Sequence, residues 1–334
     1  MGVIAQLAAG LAAVLLSSWL FTNGLEWFGL RAAVPHGVLG SVFAALGTAM
    51  PEASIALLAA IATGSAARGV GDAVSIGAVL GAPLLLATLG FAVLGLGGFR
   101  AGGGTELKVS ARGLRRDLVF FLGAFGASGA VGVLHAPAVI RWPVGALLMA
   151  AYAVFVGRTL AQDVAPAGAA ASPPALILGR LTGQGSVAPS WAAIALQLGV
   201  ALAMMLGGAE FFVHTLTGVS LRFGLSGFTL AALIVPLATE LPETLNSLVW
   251  LRQGKDALAT GNVTGAMVLQ GAVIPGLAMW FTPWAFGRVE AVAAAVALLG
   301  ALTVLAGFRA YGRLSPRMLL PVGLLYVAFL GWVL

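Results

Sequence analysis

Ten stretches of this 334-residue chain are apolar over about the 20 residues that a helix needs to cross a bilayer. They lie at roughly 3–22, 37–63, 72–97, 116–134, 139–160, 191–217, 225–250, 257–282, 289–308 and 316–333. Hydrocarbon offers no water to backbone N–H and C=O groups, so a run of this kind must satisfy them internally, as a helix. An all-α integral membrane fold with ten transmembrane helices is expected. Charge excludes a soluble reading: Asp, Glu, Lys and Arg make up 8% of the chain, against about 25% in soluble domains. The net charge of +6 does not point to nucleic acid, because most of the 17 Lys and Arg residues fall between apolar runs, where they set topology. The absence of cysteine excludes disulfide frameworks and thiolate metal sites. The first run has no basic segment before it and no evident cleavage site, and is expected to be retained as a helix.

The runs divide five and five around an Ala-rich segment with Pro166, Pro173, Pro174 and Pro189. Three units are therefore expected: a first five-helix repeat over 1–160, a linker over 161–190 and a second repeat over 191–334. Of the 17 basic residues, 13 follow spans 1, 3, 5, 7 and 9, and only Arg68, Arg141, Arg222 and Arg288 follow the even-numbered spans. By the positive-inside rule the first set is cytoplasmic, which places the linker inside and both termini outside, in a plasma (inner) membrane. Short matches relate the halves at one offset: Asn23-Gly24-Leu25-Glu26-Trp27-Phe28 with Gly207-Gly208-Ala209-Glu210-Phe211-Phe212, and Gly77-Ala78-Val79-Leu80-Gly81-Ala82 with Gly261-Asn262-Val263-Thr264-Gly265-Ala266. An odd number of spans per half makes the second half enter the membrane in the opposite sense. Inverted repeats are typical of secondary transporters, with the site near the midplane between them.

Between those matches, Gly47-Thr48-Ala49-Met50-Pro51-Glu52 and Ala238-Thr239-Glu240-Leu241-Pro242-Glu243 each put carboxylates inside an apolar run. Acids within membrane spans are costly and mark functional sites. Proline in a helix frees the carbonyl four residues earlier, here Gly47 and Ala238. Thr48 and Glu52 are spaced i,i+4, as are Thr239 and Glu243, and Glu240 precedes Glu243 by three, so each set shares a helical face. Carbonyl, hydroxyl and carboxylate oxygens together suit hard cations, and Ca²⁺ takes about 6–8 of them. No Lys or Arg lies in spans 2, 3, 7 or 8. Carboxylates crowded in low dielectric must then be protonated or occupied by cations.

These two segments resemble the GTSLPE motifs of the sodium/calcium exchanger family of the calcium/cation antiporter superfamily. The stretch Ala238 to Gly276 resembles that family's second alpha repeat, and Gly47 to Gly90 the first. The resemblance implies ion ligation by Glu52, Glu243, Thr48 and Thr239, with Glu240 at the serine position of the second motif and Gln270 at the partner helix's Asn/Asp position. It also shows departures: Ala49, Ala82 and Ala266 replace serines, and Leu86 replaces Asn or Asp. What it implies for function is a secondary-active antiporter exchanging Ca²⁺ or another cation against Na⁺, or alternatively H⁺, with no organic cofactor. Inorganic cations and the lipid bilayer are the expected partners, with a monomer sufficient for transport.

Other readings are weaker. A cation channel fits proline-broken inverted repeats less well than alternating access does. A membrane-embedded enzyme lacks a nucleophile and base or a metal-ligand set. His36, His135 and His214 match no metal spacing; Glu26 and Glu210 fit interfacial roles; Asn262 fits helix packing. The cluster Arg112, Arg115 and Arg116 reads first as an orientation signal and second as a contact for anionic lipid.

Overall fold

The computed structural model describes residues 2–32, 44–61, 68–100, 106–162, 174–181, 189–224, 226–252, 254 and 256–333. Among them the structure is helical, apart from one isolated bridge between Leu107 and Leu314. In order the helices are α1 (Val3–Arg31), α2 (Ala44–Ile61), α3 (Arg68–Leu85), α4 (Phe91–Arg100), α5 (Ala111–Val133) and α6 (Ala138–Gln162). There follow α7 (Ile177–Leu181), α8 (Trp191–Phe223), α9 (Gly227–Arg252), α10 (Asp256–Phe281), α11 (Arg288–Tyr311), α12 (Pro316–Leu319) and α13 (Gly323–Val333). One π-helical turn, Leu86–Gly90, joins α3 to α4, and a 3₁₀ turn, Leu320–Val322, joins α12 to α13.

Eight membrane-length apolar helices stand among the described residues, the joined pairs α3–α4 and α12–α13 each counting once. The expected spans 2 and 7 appear as α2 and α9, which carry the apolar stretches Met50–Ile61 and Gly227–Leu237 among the described residues. Ends also differ from the apolar runs, with α1 continuing to Arg31 and α8 to Phe223. Helical hydrogen bonding continues past the hydrocarbon-length segment, and hydropathy does not register it.

Ser110 and Ser190 cap α5 and α8 by accepting from the backbone N–H of Gly113 and Ala193. Gly224 and Gly312 end α8 and α11 with φ of 65° in both cases, where a side chain would be strained.

Small residues set how closely the helices cross, as expected where lipid supplies no hydrophobic drive between them. α3 lies against α9 so tightly that a Cβ on Gly77 would stand 2.5 Å from the Phe228 carbonyl oxygen, and one on Gly81 2.5 Å from that of Ala232. α1 packs on α8 through Gly10 and Gly208, and α6 on α10 through Gly145 and Gly276. α2 packs on α3 and α10. The two helices carrying the glutamate segments are therefore held by the two glycine-rich helices, α3 and α10, and this central group is the most buried part of the molecule.

Part of the expected linker is ordered. Asn23 on α1 and Gln197 on α8 bond each other and hold residues 174–178: Asn23 Nδ2 donates to the Pro174 carbonyl, and the N–H groups of Ile177 and Leu178 donate to Asn23 Oδ1 and Gln197 Oε1.

Candidate functional site

Glu52 lies on α2 immediately after Pro51, with 0% of its surface exposed. Neither carboxylate oxygen has a hydrogen-bond partner among the described residues. Leaving such a group unpaired costs about 2.5–3.5 kcal/mol even on the mildest scale for a charge at membrane depth. The neighbouring α2 residues Ala53 and Ala56 face Ile274 and Ala278 of α10 across a small apolar pocket. Gln270 lies one helical turn before Ile274, so Glu52 and Gln270 stand on one packed pair of helices.

Glu240 and Gln270 are brought together across α9 and α10. Gln270 Nε2 donates to Glu240 Oε1 at 2.7 Å, and both side chains are 1% exposed. A carboxylate only accepts, so it turns the amide NH₂ toward itself and leaves the amide oxygen free. Gln270 Oε1 accordingly has no donor among the described residues. Three buried acceptor oxygens, two on Glu52 and one on Gln270, thus have no donor among the described residues.

Thr239 is also buried, but its hydroxyl donates to the Val235 carbonyl at 3.0 Å within its own helix. Thr244 does the same to the Glu240 carbonyl at 2.8 Å. The side chains of the expected ligands Thr48 and Glu243 lie outside the described residues, as do those of Glu26 and Ala49. Among the described residues no three His, Cys, Asp or Glu side chains gather as a metal cluster.

At the partner-helix positions Ala82, Leu86 and Ala266 are buried and supply no side-chain oxygen. Leu86 opens the π turn, which follows the helix containing Pro83. Thr88, fully buried, donates its hydroxyl to the Leu84 carbonyl at 2.5 Å. The two glycine-rich helices therefore differ chemically, with leucine on one side at the place where the other carries Gln270. Asn262 has the packing role expected of it, donating to Ser247 Oγ at 3.2 Å between α10 and α9.

Sequence reasoning missed one buried carboxylate among the described residues. Asp117 on α5 is 7% exposed, accepts from Thr264 Oγ1 of α10 at 2.8 Å and pairs with Arg116 at 3.1 Å. It borders a cavity of about 230 Å³ between the start of α5 and α10 that Thr260 also lines. In the sequence it ends the triplet Arg115-Arg116-Asp117 and reads as one more charge at a helix end. Only its burial sets it apart.

The sodium/calcium exchanger protein family profile matches residues 2–160 and 193–334. Among curated proteins, the proposed antiporter CaxA of Alkalimonas amylolytica is 29% identical over 149 residues, 43% of this chain and 45% of that protein. The sodium/calcium exchanger MaX1 of Methanosarcina acetivorans is 26% identical over 82 residues, 25% of this chain and 23% of that one. The chain thus aligns with less than half the length of these relatives. Among solved structures, the H⁺/Ca²⁺ exchanger CAX superposes with a TM-score of 0.78 at 17% identity, over 99% of this chain and 82% of that one. The sodium-calcium exchanger NCX_Mj does so with a TM-score of 0.59 at 19% identity, over 98% and 97%. At these identities the likeness is one of fold.

Proposed function

This chain belongs to the sodium/calcium exchanger protein family, and from that premise we propose that it is a secondary-active antiporter with Ca²⁺ as cargo and Na⁺ as counter-ion. In this reading it makes ten crossings as two inverted repeats, 1–160 and 191–334, joined by a cytoplasmic linker, with both termini outside the plasma membrane. The contact of α1 with α8, and of α2 and α9 with the glycine-rich helix of the other half, supports two interlocked repeats. A single copy contains the whole site, so a monomer suffices.

The observation that carries the proposal is the set of unpaired buried oxygens on Glu52 and Gln270. A cation placed against them replaces an uncompensated charge with coordination, which is what hard oxygen donors provide for Ca²⁺. Glu240, Glu243, Thr48 and Thr239 complete the proposed ligand set from the same two proline segments. Because cargo and counter-ion compete for the same oxygens, occupancy by one displaces the other. Binding biases the equilibrium between inward- and outward-facing states only by its differential affinity for them. An empty site leaves the buried Glu52 carboxylate without a donor among the described residues, so the loaded forms interconvert more readily, and that requirement couples the two gradients.

A second reading, with H⁺ as counter-ion, is favoured by one observation: Ala82 and Leu86 put no side-chain oxygen at the two ligand positions expected on the first half's partner helix, and a proton needs only a carboxylate. Uptake of ⁴⁵Ca²⁺ into proteoliposomes under an imposed Na⁺ gradient, and separately under a pH gradient, distinguishes the two. Uptake driven by the Na⁺ gradient alone supports the first reading; uptake driven by the pH gradient alone supports the second. Flux that needs neither, with channel-like conductance, would refute antiport.

A further inference from the structure

Five arginines gather at one level of the molecule and take no part in the exchange site. Arg112, Arg115 and Arg116 lie on the first two turns of α5, Arg158 near the end of α6 and Arg309 near the end of α11. They border a single groove of about 1300 Å³. Arg116 is paired with Asp117 and stands over the Phe155 ring, 5.1 Å from its centroid. The other four have no carboxylate within 4.0 Å among the described residues. Away from the arginines the groove is apolar, walled by Val119 and Phe120 of α5 and by Leu147, Val154 and Phe155 of α6. Leu147 is 66% exposed and Val154 54%.

We propose that this groove binds one anionic diacyl phospholipid, its phosphate among the arginines and its acyl chains along the apolar wall. The two chemistries occur in the order and direction that such a lipid presents them, charge at the helix ends and hydrocarbon toward the membrane interior. A second copy of the chain is a poor occupant, since a two-fold contact brings the same patch from each copy together, here arginine against arginine. A zwitterionic lipid carries its own cation into the cluster and loses the advantage. The inference is independent of the counter-ion and of the exchange reading, and requires only that α5, α6 and α11 cross the bilayer.

Native mass spectrometry of the full chain in mild detergent, titrated with phosphatidylglycerol or phosphatidylcholine, tests it. The wild type should retain phosphatidylglycerol in preference. Replacing Arg115, Arg158 and Arg309 together by Ala should weaken that binding on the order of 100-fold, about fivefold for each cation near a membrane surface. Ala150→Trp fills the groove without touching the charges and should also release the lipid, which a merely electrostatic attraction would not do. Should the triple variant not fold, Ala150→Trp alone decides. Equal retention of the two lipids, undiminished phosphatidylglycerol binding by the Trp variant, or a lipid-free dimer that this variant splits would each overturn the proposal.

Discussion

Replacing Glu52 by Gln tests the buried carboxylate directly, because the substitution keeps its shape and volume and removes its charge. Glu52 is 0% exposed, and neither of its oxygens accepts from a donor among the described residues. Removing one member of a buried charge pair costs about 3–5 kcal/mol, which corresponds to a cation affinity at least about 150-fold weaker. A ligand present at 100 times its dissociation constant stabilises the protein that binds it by about 2.7 kcal/mol. After a 150-fold loss of affinity, the same concentration stabilises by only about 0.3 kcal/mol. The eight tryptophans give an intrinsic fluorescence signal, so thermal unfolding in detergent can be followed across a Ca²⁺ titration. The wild type should show a clear upward shift and Glu52→Gln almost none, while both unfold cooperatively without cation. An equal Ca²⁺-dependent shift in the two proteins would refute the assignment of Glu52 as a ligand.

Three further perturbations address the support of the site. Gln270→Ala removes the donor to Glu240 and a free acceptor oxygen; a hydrogen bond to a charged group contributes about 1.5–3 kcal/mol, so Ca²⁺ affinity should fall by tenfold or more, and an unchanged titration would exclude Gln270. Asp117→Ala and Thr264→Val should each destabilise the protein, and a double-mutant cycle on thermal stability should show coupling of about 0.5–3 kcal/mol; strict additivity would mean the 2.8 Å contact contributes nothing. Gly81→Ala should cost about 1–3 kcal/mol by overpacking, since its Cβ meets backbone at 2.5 Å. Gly123→Ala, with nothing within 4 Å, should be neutral or gain up to about 1 kcal/mol from helix propensity. If both glycine variants behave alike, the close crossing of α3 and α9 is not required.

Much of the fold was readable because a bilayer enforces local bookkeeping. Backbone groups in hydrocarbon must be satisfied within their own helix, so each apolar run declares an element without reference to the rest of the chain. Prolines, glutamates and the basic segments are legible for the same reason: each is costly or directional at the position where it stands. Side-chain partnership behaves differently. Leu86 and Gln270 occupy matching positions in the sequence, yet one begins a π turn and the other turns its amide toward Glu240. Asp117 looks like a surface charge until α10 lies against it.

By itself the sequence determined the membrane class, the helical elements and the carboxylates placed at membrane depth, all of which are consequences of local chemistry in hydrocarbon. The tertiary structure alone decided which buried oxygens meet a donor among the described residues and which do not, because that depends on how far each helix is rotated and how closely it crosses its neighbours. Rotation and approach are set by contacts such as those at Gly77 and Gly81, made with residues far away in the chain and invisible to any local reading.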